Sequence, residues 1–123
     1  MYEIEYYRKP NGEKPARTYL ETLGVKLKAK SKYMIDLLAR EGSGMREPES
    51  KHLEDGIFEL RTQFGSDSGR VLFFFYIGKK IVLTHGFLKK TEKTPRKEIL
   101  KAKRYRDDYL KHNEGSNNDE ERV

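Results

Sequence analysis

The chain contains no cysteine. A disulfide scaffold and thiol chemistry are therefore excluded, and a zinc site would have to be assembled from three histidines and scattered carboxylates. No metal and no cofactor are expected. Long apolar runs are missing too. Nothing approaches the about 20 apolar residues of a membrane-spanning helix, and the N-terminus alternates polar and apolar residues where a secretory signal would carry an apolar core. The expectation is a soluble, cytoplasmic protein with no membrane partner. Hydrophobic residues make up only 35% of the 123, enough for one domain with a modest core, and eight Tyr and six Phe supply much of its bulk.

Charge is what the chain has in abundance: 37% of residues are Asp, Glu, Lys or Arg, with a net charge of +6. The acidic residues Glu114, Asp119, Glu120 and Glu121 stand at the C-terminal end against Arg122 alone, so the remainder is more basic than the total suggests. Such a domain attracts phosphate backbones through counterion release, and anionic membranes or acidic proteins by the same field. The division expected is a folded domain over residues 1–112 and an acidic, disordered tail over residues 113–123.

Tyr2, Ile4 and Tyr6 alternate with Glu3, Glu5 and Tyr7, the period-2 pattern of a strand with one buried face. Pro15 suits a first helical turn, and Tyr19, Leu20 and Leu23 form a short apolar stripe closed by Gly24. Over residues 25–41, Leu27, Met34, Ile35 and Leu38 share one helical face, with Gly42 as C-cap. Residues 42–50 read as a loop. Three strands follow at 57–64, 70–77 and 80–88, separated by short Gly-containing turns that make them an antiparallel meander. Thr94 as N-cap and Pro95 at the first helical position then open a helix to about Lys111. No internal repeat is present. The predicted class is α+β, in the order β-α-α-β-β-β-α, with an antiparallel sheet covered by helices on one face.

In a meander the end of each strand lies beside the start of the next, so Arg61, Arg70, His85, Phe87, Lys89 and Lys90 gather at one end of the sheet whatever the register. Register decides which face they share. A two-residue Gly78-Lys79 turn sets Phe87 opposite Arg70, with His85, Leu83, Arg70 and Phe74 on one face; a three-residue turn sends Arg70 and His85 to opposite faces. The first arrangement is preferred, because Phe73 and Phe75 then meet Thr84 and Val82 on the helix-covered side. Metal-free RNA cleavage needs a base for the 2′-hydroxyl, cations for the charge on phosphorus and a proton donor for the leaving oxygen. Arg supplies only the cation; Lys, His, Glu or Tyr can supply the rest. Taken singly, these residues have ordinary explanations: solvated arginines, a solvated run at Lys89, Lys90, Lys93 and Arg96, a structural His85, core Phe74 and Phe87, loop Lys51 and His52, and Tyr105 and Tyr109 packing the last helix.

The segments Gly56-Ile57-Phe58-Glu59-Leu60-Arg61, Gly69-Arg70-Val71-Leu72-Phe73-Phe74-Phe75 and Val82-Leu83-Thr84-His85-Gly86-Phe87-Leu88-Lys89-Lys90-Thr91-Glu92-Lys93-Thr94-Pro95 resemble, in this order, the phage-derived HigB-like branch of the RelE toxin superfamily. The similarity extends over nearly all of residues 1–112. It implies a small RelE-like fold and the toxin of a type II toxin–antitoxin system: a ribosome-dependent, metal-independent endoribonuclease that cuts mRNA and inhibits translation. A helix-turn-helix antitoxin would neutralise it in a higher-order complex bound to operator DNA through the antitoxin. Arg70 matches the strand arginine assigned to the scissile phosphate, and Lys89 and Lys90 match the basic pair after the last strand. Arg61 and Lys51 match positions that are often basic. The catalytic set implied is Arg70, Lys90, Lys89, Arg61 and His85, with Lys51, Phe87, Lys93, Arg96 and Tyr105 binding RNA. RelE itself places a lysine pair before and within the strand that here reads Phe58-Glu59-Leu60, and a tyrosine in the last segment, so the general base stays open among Lys51, His85 and Tyr105. Shared fold is weak evidence of shared activity. Two rival readings stand beside it: a ParE-like toxin that poisons gyrase by binding it, and a non-catalytic RNA- or ribosome-binding protein.

Overall fold

Four polar-apolar alternating residues form β1 (Glu3–Tyr6) in the computed structural model, and Pro15 opens the short helix α1 (Pro15–Glu21) as expected. The helix α2 (Val25–Glu41) has the bounds its apolar spacing predicts. Gly42 ends it at φ +52°, where a Cβ would lie within 2 Å of the Tyr2 ring, so only glycine fits. Strands β2 (Ser50–Glu54), β3 (Ile57–Phe64), β4 (Asp67–Tyr76) and β5 (Lys80–Leu88) follow, and α3 (Arg96–Arg122) comes after them. The structure describes residues 1–122, with side chains for residues 1–113; α3 therefore runs past its predicted end near Lys111 into the stretch expected to be an acidic tail. Among the described residues no helix is long and apolar enough to cross a membrane.

The α+β class is the one predicted; the described residues form three α-helices, a short 3-10 turn at Gly42–Gly44 and five strands in the order β1-β5-β4-β3-β2. Three details differ. First, β2 was not predicted: the loop expected over residues 42–50 was to lead to the strand at 57–64. β2 pairs with β3 through a two-residue turn in which Asp55 (φ 50°) and Gly56 (φ 78°) both take positive φ, and the His52 ring nitrogen accepts the Gly56 N–H at 3.2 Å. Second, the sheet is mixed, not antiparallel throughout, because β1 runs parallel to β5, from Glu3 opposite Lys80 to Tyr6 opposite Leu83. Third, the helices cover both faces. α1 and α2 pack on Leu60, Val71, Phe73, Ile81 and Leu83; Ala102 and Tyr109 of α3 pack on Ile57, Leu72, Phe74 and Val82. A strand apolar at every position, as β4 is from Val71 to Phe75, needs cover on both sides. Complete burial of a side chain such as Phe73 stabilises the fold by about 2–3 kcal/mol.

The β4–β5 register resolves the choice between two turns in an unexpected way. Tyr76 faces Lys80 across a three-residue turn, so Phe73 and Phe75 meet Leu83 and Ile81, not the predicted Thr84 and Val82. A bulge at Thr84 then inserts one residue, and beyond it Leu72 faces His85 and Arg70 faces Phe87. At the far end of the sheet the pairing is therefore the one a two-residue turn would give. Arg70, Phe74 and His85 share the α3 face, while Leu83 lies on the other.

Candidate functional site

Pairing places the functional side chains in two rows on the α3 face, at the end of the sheet away from the β4–β5 turn. Lys51, Glu59, Leu72 and His85 are successive cross-strand partners, and beside them run Arg61, Arg70 and Phe87. The segment leaving β5 turns across the same end, where the Lys89 N–H donates to the Ser68 carbonyl at 2.7 Å.

Glu59 is the centre of this arrangement and is completely buried. Its Oε2 accepts a hydrogen bond from Arg61 Nε at 3.0 Å. Its Oε1 accepts one from the Thr94 hydroxyl and stands 3.4 Å from Arg70 Nε, an ion-pair contact without hydrogen-bond alignment. Thr94 was predicted to cap α3. Instead the Pro95 carbonyl accepts the Glu98 N–H at 3.0 Å, α3 begins at Arg96, and the Thr94 hydroxyl is used on Glu59.

Arg70 is buried, and its Nη1 donates to the Ser68 hydroxyl at 2.7 Å and the Gly69 carbonyl at 2.8 Å. Burial pulls its pKa down and Glu59 pulls it back up, and a guanidinium stays charged at neutral pH. Among the described residues nothing bonds to Arg70 Nη2 or to either Nη of Arg61. These donors are the ones available to an incoming phosphate. Burial pushes the Lys89 ammonium below the ordinary lysine value; Arg70, Arg61 and Lys51 add to the depression and Glu59 opposes it. Lys90 is exposed and, with Lys89, Ser68 and Thr91, lines a cleft of about 500 Å³. Arg61 and Arg70 line a second cleft of about 320 Å³ with Lys30 and Gln63. Cations thus outnumber the single buried carboxylate, and the surplus favours a polyanion.

Other predicted residues are placed differently. His85 shares the face with Arg70 but is buried beneath α3, its Nε2 3.2 Å from Glu98 Oε1 and its Nδ1 3.1 Å from the Thr84 hydroxyl. Burial lowers its pKa to about 4, against the pull of Glu98, so it is neutral at pH 7. Tyr105 stacks on Tyr7 with ring centres 4.8 Å apart and meets the His85 ring edge-on, which makes it part of the α3 packing. Phe87 is half-buried beside His85. Lys93 is exposed, and exposed Arg96 is ion-paired with Glu54. Glu59, Thr94 and Ser68 were missed as site residues. The signal that could have found Glu59 is its place two residues before Arg61, hence on the same face of one strand. A further cleft of about 510 Å³ lies between residues 5–10 and the part of α3 around Asp108 and Tyr109, and holds none of the predicted residues. Among the described residues no His, Asp and Glu group is placed to hold a metal ion.

Fold and site together define a class: a small basic α+β domain that presents arginine and lysine donors at one end of its sheet, the arginines set against a buried carboxylate. The chain belongs to the family of phage-derived Gp49-like proteins, whose model matches residues 18–107. The matched span runs from α1 into α3 and includes every residue of the cluster. No curated protein matches the chain.

Proposed function

We propose that this protein is the toxin of a type II toxin–antitoxin pair, of the HigB-like kind within the RelE superfamily, and that it cleaves mRNA on the ribosome without a metal. The observation that carries the reading is the meeting of Arg61, Arg70 and Lys89, with Lys51 opposite Glu59, around one buried carboxylate, with both Nη of Arg61 and Nη2 of Arg70 left without a partner among the described residues. Membership of the phage-derived family supports it.

In the proposed reaction Arg70 and Arg61 hold the scissile phosphate and offset the negative charge that grows on its oxygens. Lys89 in its neutral form takes the proton of the 2′-hydroxyl, whose oxygen bonds to phosphorus as the bond to the 5′-oxygen breaks. Lys90, as an ammonium, returns a proton to that leaving oxygen. The products are a 2′,3′-cyclic phosphate and a 5′-hydroxyl. Docking on the ribosome supplies the alignment that so sparse a site lacks, and a helix-turn-helix antitoxin restrains the protein until needed.

Induced expression in a bacterial host tests this. The wild-type protein should stop growth and leave translated transcripts cut in frame, and Arg70→Ala should restore both growth and intact transcripts. Growth arrest that persists in Arg70→Ala with intact mRNA would instead indicate a gyrase-type poison. Normal growth with the wild type would indicate a binding protein without chemistry.

A further inference from the structure

We propose that Glu59 is the positioning residue of the site, aiming Arg61 through its Nε, balancing the charge of Arg70 beside it and fastening, through Thr94, the segment that carries Lys89 and Lys90. The effect on cleavage rests on the nucleolytic reading above, whereas the holding role rests on geometry alone.

A carboxylate without solvent exposure is sustained only where cations and donors replace its water. Glu59 has three such partners, and they come from three parts of the chain: Arg61 on its own strand, Arg70 on the neighbouring strand and Thr94 before α3. Arg61 and Arg70 are directly paired across β3 and β4, so their guanidiniums repel one another unless an anion lies between them. Glu59 is that anion. Arg61, gripped at Nε, has the plane of its guanidinium set with both terminal nitrogens turned away from the grip, the orientation a phosphate requires. Arg70 is fixed by its Nη1 bonds to Ser68 and Gly69 with the Glu59 charge beside its Nε, which leaves its Nη2 unbonded among the described residues. Thr94 extends the grip. Residues 89–94 have only the backbone bond from Lys89 to Ser68 and the Thr91 hydroxyl bond to the Lys93 carbonyl among the described contacts, so the Thr94 hydroxyl is what ties their far end to the sheet. The same carboxylate opposes the depression of the Lys89 pKa by the surrounding cations.

The test compares full-length wild type with Glu59→Gln and Thr94→Val. The Arg61 Nε–H resonance should exchange slowly in the wild type and collapse into the solvent-exposed envelope in Glu59→Gln, while far-UV circular dichroism stays the same. With programmed ribosomes, Glu59→Gln should lower kcat by about 10- to 100-fold and change KM by less than about 3-fold. The acid limb of its pH profile should move to lower pH, because Lys89 is left among cations only; a merely structural role would not move it. Thr94→Val should lower kcat by about 3- to 10-fold with the limb in place. Wild-type kcat and an unshifted profile in Glu59→Gln would overturn the proposal. If Glu59→Gln does not fold, wild-type kcat in Thr94→Val would overturn it. If the wild type does not cut RNA, the nucleolytic reading fails by itself, and an Arg61 Nε–H resonance unchanged in Glu59→Gln would then overturn the positioning role separately.

Discussion

Acid should destabilise this protein through His85. Burial lowers its pKa from 6.5 to about 4, so the folded state favours the neutral ring more strongly than the unfolded chain does. The stability this contributes is complete above pH 6.5 and is lost as pH falls from there towards 4, because the unfolded chain takes up the proton first. Each pKa unit corresponds to about 1.4 kcal/mol, so the full loss is about 3 kcal/mol, most of it reached by pH 4.5. That is a large fraction of the roughly 5–15 kcal/mol that holds a domain folded. The groups around the ring are Glu98, which favours the imidazolium, Lys101 and Arg104, which oppose it, and Thr84, Phe87 and Tyr105 in contact with it. Urea unfolding followed by circular dichroism between pH 7 and 4.5, on the wild type and on His85→Gln, isolates the effect from titration elsewhere. The wild type should lose about 2–3 kcal/mol more than the variant over that interval. Parallel curves for the two proteins would refute the reasoning.

Three further outcomes follow from the same geometry. A Cβ at Gly86 would lie 2.2 Å from the buried Tyr19 ring, so Gly86→Ala should cost about 1–3 kcal/mol in urea unfolding, whereas Gly24→Ala, with nothing within 4 Å, should cost far less. Cleavage should rise with pH and level off below the ordinary lysine value, as the depressed Lys89 ammonium requires; a rate still climbing at pH 10 contradicts its role as base, and Lys89→Gln should cut kcat by about 100-fold. Arg96 is already engaged by Glu54, so Arg96→Ala should change the single-turnover cleavage rate by less than about 3-fold, and a loss as large as that of Arg70→Ala would show that it grips RNA directly.

The elements that could be read from the sequence are those whose signals are local. The apolar spacing of α2 and the glycine after it, and the apolar runs of β3 and β5, correspond to observed bounds. The meeting of Arg61, Arg70 and Lys89 followed from strand order alone. β2 was hidden because Lys51 and His52 are exposed and polar, although the Asp55-Gly56 pair marks the turn that creates it. Neither the parallel partner of β1 nor the side taken by α3 is written in local alternation; both depend on contacts between segments far apart in sequence. The bulge at Thr84 had the same obscurity, and it is what brings His85 to the face of Arg70. Glu59 reads as an ordinary solvated strand residue until pairing shows Arg70 one strand away and Thr94 above it.

The central claim is that the cations gathered around Glu59 cut RNA. Purified protein incubated with programmed ribosomes and an end-labelled mRNA tests it most directly. The account predicts A-site cleavage leaving a 2′,3′-cyclic phosphate, reduced about 10²- to 10³-fold in Arg70→Ala with the fold intact by circular dichroism. An mRNA that stays whole with the wild type, or is cut equally fast by Arg70→Ala, would contradict it.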